Sequence, residues 1–269
     1  MRSPLRRLVL VVCASSGPAA LGAQGMGKPT NDLPNPYQTI AGWATLPEGR
    51  TWGSLSAVDI DRDGHSVWVA ERCGANSCTN SALPSVMKFN ASGKLVTSFA
   101  SGLFISPHGM AVDRDGNIWV ADCACTGAPR SGADTTGPKK GHQVFKFSPD
   151  GKLLMTLGVA GGAREPGQFW QPNDVLVAPN GDIFVAEGHA SAPGSNARIL
   201  KFSSDGKLLK SWGKFGKGPG EFDQPHALAM DSRAACSSAT AATTASRSST
   251  RTERCSTHGT SSAGRAGST

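Results

Sequence analysis

The chain has one tyrosine, Tyr37, and only 6% aromatic residues. It has no long helical pattern and no long apolar run. The longest apolar stretch starts at Leu8–Val12 and ends, diluted by small residues, by Ala23. That is too short to span a membrane, which takes about 20 apolar residues. With 33 Gly and 17 Pro in 269 residues, the balance favours an all-β domain with many turns and one sizeable core. A basic centre is also missing. The formal charge of +7 comes from the two ends: Arg2, Arg6 and Arg7 at one, Arg233, Arg247, Arg251, Arg254 and Arg265 at the other. Residues 24–232 hold 19 basic and 19 acidic groups. A nucleic-acid-binding fold would carry its excess in that region, so nucleic acid is excluded as a partner class.

What is there is repetition. Ser56–Arg72 (SAVDIDRDGHSVWVAER) recurs as His108–Asp122, as Asn173–Glu187, and begins again at His226–Ser232. A second unit, Val86–Phe99, recurs as Val144–Leu157 and Ile199–Trp212. Each unit reads as a hairpin. Asp63-Gly64, Asp115-Gly116 and Asn180-Gly181 supply tight turns in the first type. Ser92-Gly93, Asp150-Gly151 and Asp205-Gly206 do so in the second. Two hairpins make a four-stranded sheet, recurring every 52 to 65 residues. Such sheets cannot bury both faces alone, and radial stacking around a channel, a β-propeller, solves that. A linear solenoid is the weaker alternative, because its repeats are usually shorter.

The wording of these units, PHGMAVDRDGNIWVAD, VFKFSPDGKLL, QPNDVLVAPNGDIFVAE and GPGEFDQPHALAMD, resembles the NHL-repeat family over about residues 40–232. Within it the chain is most similar to the lyase module of peptidylglycine amidating enzymes and their bacterial relatives. The resemblance implies a six-bladed propeller, of which residues 38–232 would supply three and a half to four blades.

It also implies site residues. In that module three histidines from equivalent strand starts hold zinc. His108 and His226 match the first two, and the third would lie beyond the recognisable repeats. Arg72 falls where an arginine faces substrate, suited to gripping a carboxylate with paired hydrogen bonds. The catalytic tyrosine position is occupied by His189, which could serve as a base near neutral pH. Backbone carbonyls of Val58 and Met110 match those that hold a structural calcium. Against each stands a plainer reading. The histidines could merely line a polar channel, Arg72 could pair with Glu71 or an adjacent loop, and His189 could be an exposed loop residue.

The flanks read differently. Arg2, Arg6 and Arg7, the apolar stretch and a cleavage site near Ala23 make residues 1–23 an expected signal peptide, placing the protein in the periplasm or outside the cell. Cys13 offers a lipid-anchor alternative, though Val-Val before it fits poorly. Residues 233–269 contain no Val, Ile, Leu, Met, Phe, Trp or Tyr, so a disordered tail is expected there. With GC-rich codons, the same stretch read in another frame gives GRLFVGDRGNNRIQVFDQDGKVLDTW, the missing half-repeat and its successor. A frameshift is therefore expected to have replaced the last blades.

In an exported protein Cys73, Cys78, Cys123 and Cys125 are expected to oxidise. Cys73–Cys78 is a plausible local staple. Cys123–Cys125 is expected to be strained, so a bond from Cys73 or Cys78 to the second loop is left open. The Gly-rich Gly213–Phe222 lacks the Lys-Ser/Thr ending of a phosphate loop and reads as a link between blades, as does Gly158–Phe169. Thr126–Gly141 reads as an inserted rim loop. Two functions follow. One is a binding propeller taking a small molecule or peptide in its channel, or a protein on its rim. The other is a metal-dependent lyase that cleaves a peptidyl-α-hydroxyglycine to an amide and glyoxylate.

Overall fold

The computed structural model describes residues 34–125, 139–190, 195–231 and 236–240. The expected signal peptide, most of the inserted loop and residues 241–269 lie outside these. The chain divides into Met1–Ala41, where Asn35 Oδ1 accepts the Tyr37 amide, and Gly42–Thr269, which holds every strand. Among the described residues there is no helix, so none is long and apolar enough to cross a membrane.

Three four-stranded antiparallel meanders follow one another. Blade 1 is β1 (Leu55–Ile60), β2 (Val67–Glu71), β3 (Val86–Phe89) and β4 (Leu95–Phe99). Blade 2 is β5 (Pro107–Val112), β6 (Ile118–Asp122), β7 (Gln143–Phe147) and β8 (Leu153–Leu157). Blade 3 is β9 (Pro172–Val177), β10 (Ile183–Glu187), β11 (Arg198–Phe202) and β12 (Leu208–Trp212). A half-blade of β13 (Pro225–Met230) and β14 (Cys236–Thr240) ends the series. This is an incomplete β-propeller, with three whole blades and half a fourth. β14 lies inside the stretch expected to be disordered. The outer edge of β13 offers unpaired backbone groups, and an extended segment of almost any composition can pair with them.

The turns obey the repeat. All six turn glycines, Gly64, Gly93, Gly116, Gly151, Gly181 and Gly206, have φ between +73° and +90°, which other residues adopt only with strain. The first strands β1, β5, β9 and β13 neighbour one another in sequence order. The core lies between blades. Trp68 and Ala70 of β2 pack on Phe104, Ile118, Val120 and Phe145 of blade 2. Trp119 and Ala121 of β6 pack on Phe169, Ile183, Val185 and Leu200 of blade 3. Phe184, Ala186 and the link residue Phe222 pack toward Leu228 and Met230 of the half-blade. Alternate residues of each second strand thus face opposite neighbours, which is why these strands read as unbroken apolar runs.

The second strand of each whole blade ends in a buried acid with a repeated task. Glu71 accepts the amides of Gly53 and Gly74 at 3.1 and 3.0 Å. Asp122 accepts those of Ile105 and Ser106 at 2.9 and 2.7 Å. Glu187 accepts that of Trp170. The acid ties each blade's second strand to the segment leading into its first. Arg50 pairs with Glu71 and Arg198 with Glu187. Asp122 instead feels the charge of Arg72.

Candidate metal centre

The repeat places matching residues at the start of each first strand: Ser56, His108, Asn173 and His226. The outcome at the channel depends on which residue fills each slot. Asn173, at blade 3, is fully buried and holds the other groups together. Its carbonyl oxygen lies 2.9 Å from His108 Nδ1. A carbonyl can only accept, so Nδ1 carries the proton and Nε2 keeps its lone pair. Its side-chain Nδ2 donates to Gly188 O at 2.7 Å and to Pro225 O at 2.8 Å. Those carbonyls directly precede His189 and His226. One asparagine thus orients all three histidines.

Gly188 is the second device. Its φ is +122°, and a Cβ there would stand 2.0 Å from Asn196 O. Only glycine lets the chain leave β10 in the direction that carries His189 back over the channel. Gly109 is the third. A Cβ there would meet Asp174 Oδ1 at 2.3 Å and Asn173 O at 2.6 Å, so its absence lets β5 and β9 close together.

The result is a triad. His108, His189 and His226 each bring one ring nitrogen, all within 4.8 Å of one another. Ring centroids are 4.6 Å apart for His108 and His226, 5.2 Å for His189 and His226, and 5.4 Å for His108 and His189. Burial, then the neighbouring imidazoles and Arg72, push the His108 pKa down to about 3. Burial chiefly, with Arg72 adding, also lowers His189 and His226. Three neutral imidazoles with converging nitrogens suit a borderline-soft divalent ion, and three protein ligands leave a fourth position open. The residues fit zinc.

Arg72 stands beside this triad, since its charge bears on all three imidazoles. Its Nε donates to Pro107 O at 3.2 Å and one terminal nitrogen to Asn76 Oδ1 at 2.8 Å. It is not bound to Glu71, whose ion pair is with Arg50, and its bond to Asn76 is the adjacent-loop contact that the plainer reading allowed. Val58 and Met110 occupy matching positions of the adjacent strands β1 and β5, the Met110 side chain buried and that of Val58 exposed.

Sequence reasoning placed His108 and His226 together and Arg72 near them. It took His189 as a base, whereas its ring nitrogen converges with the other two as a possible ligand. It read Asn173 only as the opening residue of the third repeat. A buried asparagine at a strand start, with glycine following a strand-end acid, was the available signal. His142 stays apart from this site. It stacks on Trp170 at 4.5 Å, its Nδ1 accepts the Gln171 amide at 2.9 Å, and it serves the link between blades 2 and 3.

Residues 104–127 match the NHL repeat family. Over 146 residues the chain is 37% identical to peptidyl-glycine alpha-amidating monooxygenase of Mus musculus, covering 51% of this chain and 13% of that protein. Over 151 residues it is 36% identical to peptidyl-alpha-hydroxyglycine alpha-amidating lyase 1 of Drosophila melanogaster, covering 52% and 24%. Over 202 residues it is 29% identical to NHL repeat-containing protein 3 of Homo sapiens, covering 73% and 51%. The chain spans between an eighth and about half of the length of these relatives.

Proposed function

We propose that this chain, an NHL-repeat β-propeller of three and a half blades, binds a divalent metal ion in its channel and, beside it, a ligand bearing a carboxylate. The observation that carries the reading is the convergence of His108, His189 and His226 next to the cation of Arg72. His108 would offer Nε2, with its tautomer fixed by the Asn173 carbonyl. His189 and His226 would complete the set. A zinc ion bound there would act as a Lewis acid on an oxygen of the ligand. Arg72 would receive the carboxylate through a bidentate pair. The ligand class is a peptidyl-α-hydroxyglycine or a similar carbinolamide, by likeness to the amidating lyases. Calcium on the Val58 and Met110 carbonyls would be structural, joining blades 1 and 2. Export is part of the same reading, supported by the arginine-led apolar N-terminus and by two disulfides.

Binding rather than turnover is the primary reading. Once His189 is a ligand it cannot also move a proton, and the position of the relatives' catalytic tyrosine is held by that histidine. The lyase alternative is favoured by the relatives' names alone. The discriminating experiment titrates α-hydroxyhippurate into the zinc-loaded full chain and assays glyoxylate. Binding that is abolished by a chelator, without glyoxylate, supports the metal-dependent binding site. Chelator-sensitive glyoxylate release moves the protein to the lyases. Binding indifferent to chelator overturns the metal reading.

A further inference from the structure

Two disulfides follow the second strands of blades 1 and 2, each closed within its own loop, including the Cys123–Cys125 pair that the sequence disfavoured, and their surroundings differ. Cys73–Cys78 lies against backbone, with Cys73 Sγ 3.6 Å from Leu83 O and Cys78 Sγ 3.8 Å from Glu71 O. No other metal-ligating side chain converges on it among the described residues. Cys123–Cys125 has a different neighbour. Both sulfurs and a ring nitrogen of His189 lie within 4.8 Å of one another. Cys123 is fully buried, its amide donates to Ser106 O at 3.1 Å, and its Sγ lies 3.5 Å from Asn173 Oδ1. Ala124 turns the chain between them with φ +49°. The sulfur pair therefore abuts the same asparagine and the same histidine that build the triad.

Sulfur in a disulfide is a poor metal ligand, whereas a thiolate is a strong one for zinc. A neutral imidazole has one lone pair, so His189 can serve one ion at a time. The two ligand sets share His189 and compete for it.

We propose that Cys123, Cys125 and His189 form a second, thiol-gated zinc site whose opening by reduction takes His189 from the histidine triad. It rests on the triad reading for the competition, though not for the thiol site itself. In the gating step a dithiol reductant supplies two electrons and two protons. The sulfur–sulfur bond breaks, two S–H groups form, and the reductant leaves as its own disulfide. Zinc binding then forms two Zn–S bonds and releases the two thiol protons to solvent. The oxidised protein holds metal on three nitrogens with an open position. The reduced protein holds it on two sulfurs and one nitrogen. Thiol reduction thus switches the channel site off for its ligand while the protein keeps its metal.

Cobalt(II) is the probe, because thiolate ligation gives it an intense sulfur-to-metal charge-transfer absorption that imidazole does not. The full chain is titrated oxidised, and again after anaerobic reduction and removal of the dithiol. The charge-transfer band is expected only after reduction, with apparent affinity at least tenfold tighter. It should persist in Cys73→Ser/Cys78→Ser and vanish in Cys123→Ser/Cys125→Ser. Should the double serine variant fold poorly, alkylating the reduced wild-type thiols with iodoacetamide must remove the band instead. His108→Ala should abolish the oxidised-state cobalt spectrum and leave the reduced-state band intact. Two results overturn the proposal: no band in reduced protein that retains its circular dichroism, or a band unchanged in Cys123→Ser/Cys125→Ser. Failure of the triad reading looks different. There the oxidised spectrum is unaffected by His108→Ala, whatever the thiols do.

Discussion

The carbonyl of Asn173 accepts the Nδ1 proton of His108 across 2.9 Å, a bond from blade 3 to blade 2 that leaves the Nε2 lone pair free. The same asparagine fixes the backbone in front of His189 and His226. Its side chain should therefore matter to metal affinity although it touches no metal.

Replacing Asn173 with Ala orphans the buried carbonyls of Gly188 and Pro225, at a cost of about 1–3 kcal/mol each. We expect a clear drop in melting temperature. Zinc affinity, read by competition with a chromophoric chelator at a temperature where the variant is folded, should fall at least tenfold. Unchanged affinity would show that the histidines hold their places unaided.

Gly188→Ala places a methyl group 2.0 Å from Asn196 O at a left-handed φ. The strand exit must shift and take His189 with it. Metal affinity should drop to the level of His189→Ala, and combining the two should add little. Additive losses would mean that Gly188 acts elsewhere.

Arg72 is argued to receive a carboxylate, so Arg72→Ala should weaken α-hydroxyhippurate binding by about 10- to 100-fold, with Arg72→Lys in between. Zinc affinity should move the other way or hold, because removing a cation makes the three imidazoles more basic. Parallel loss of both affinities would point to a structural role.

Two buried groups give opposite acid responses. His108, pushed down to about 3, contributes stability that is full above its ordinary 6.5 and lost as pH falls toward 3. Asp174, pushed up to about 7 by burial, contributes stability that is full below its ordinary 3.8 and lost as pH rises through 7. Between those ordinary values the slopes oppose. Asp174→Asn removes the aspartate slope and leaves those of the other groups in place, so relative to wild type the variant should gain stability toward about pH 8 and lose it toward about pH 4.5. Thermal unfolding at the two pH values reads this, and a pH-independent difference refutes it.

The inter-blade core sets the stability scale. Trp68 is fully buried on blade 2, and its Nε1 donates to Asp61 at 2.6 Å. Trp68→Ala should cost about 3–5 kcal/mol by denaturant titration. Leu153→Ala, at an exposed site on β8, should cost well under half of that.

How much was legible follows from what each feature depends on. Alternation, Asp-Gly turns and a period of 52 to 65 residues are local, and they determined strands, hairpins and blades. Equivalence of slots also brought His108 and His226 to one place, because repeated units share an axis. His189 follows β10 instead of opening a first strand, and nothing local said that its ring folds back over the channel. That required the φ of Gly188 and two bonds from Asn173. The meeting of Cys123 and Cys125 with His189 joins the exit of β6 to the exit of β10, residues more than 60 positions apart. Period and turn chemistry are written along the chain, so the sequence by itself determined the blades. Which strand exits face each other is settled only when whole blades pack, so the ligand sets were decided by tertiary structure.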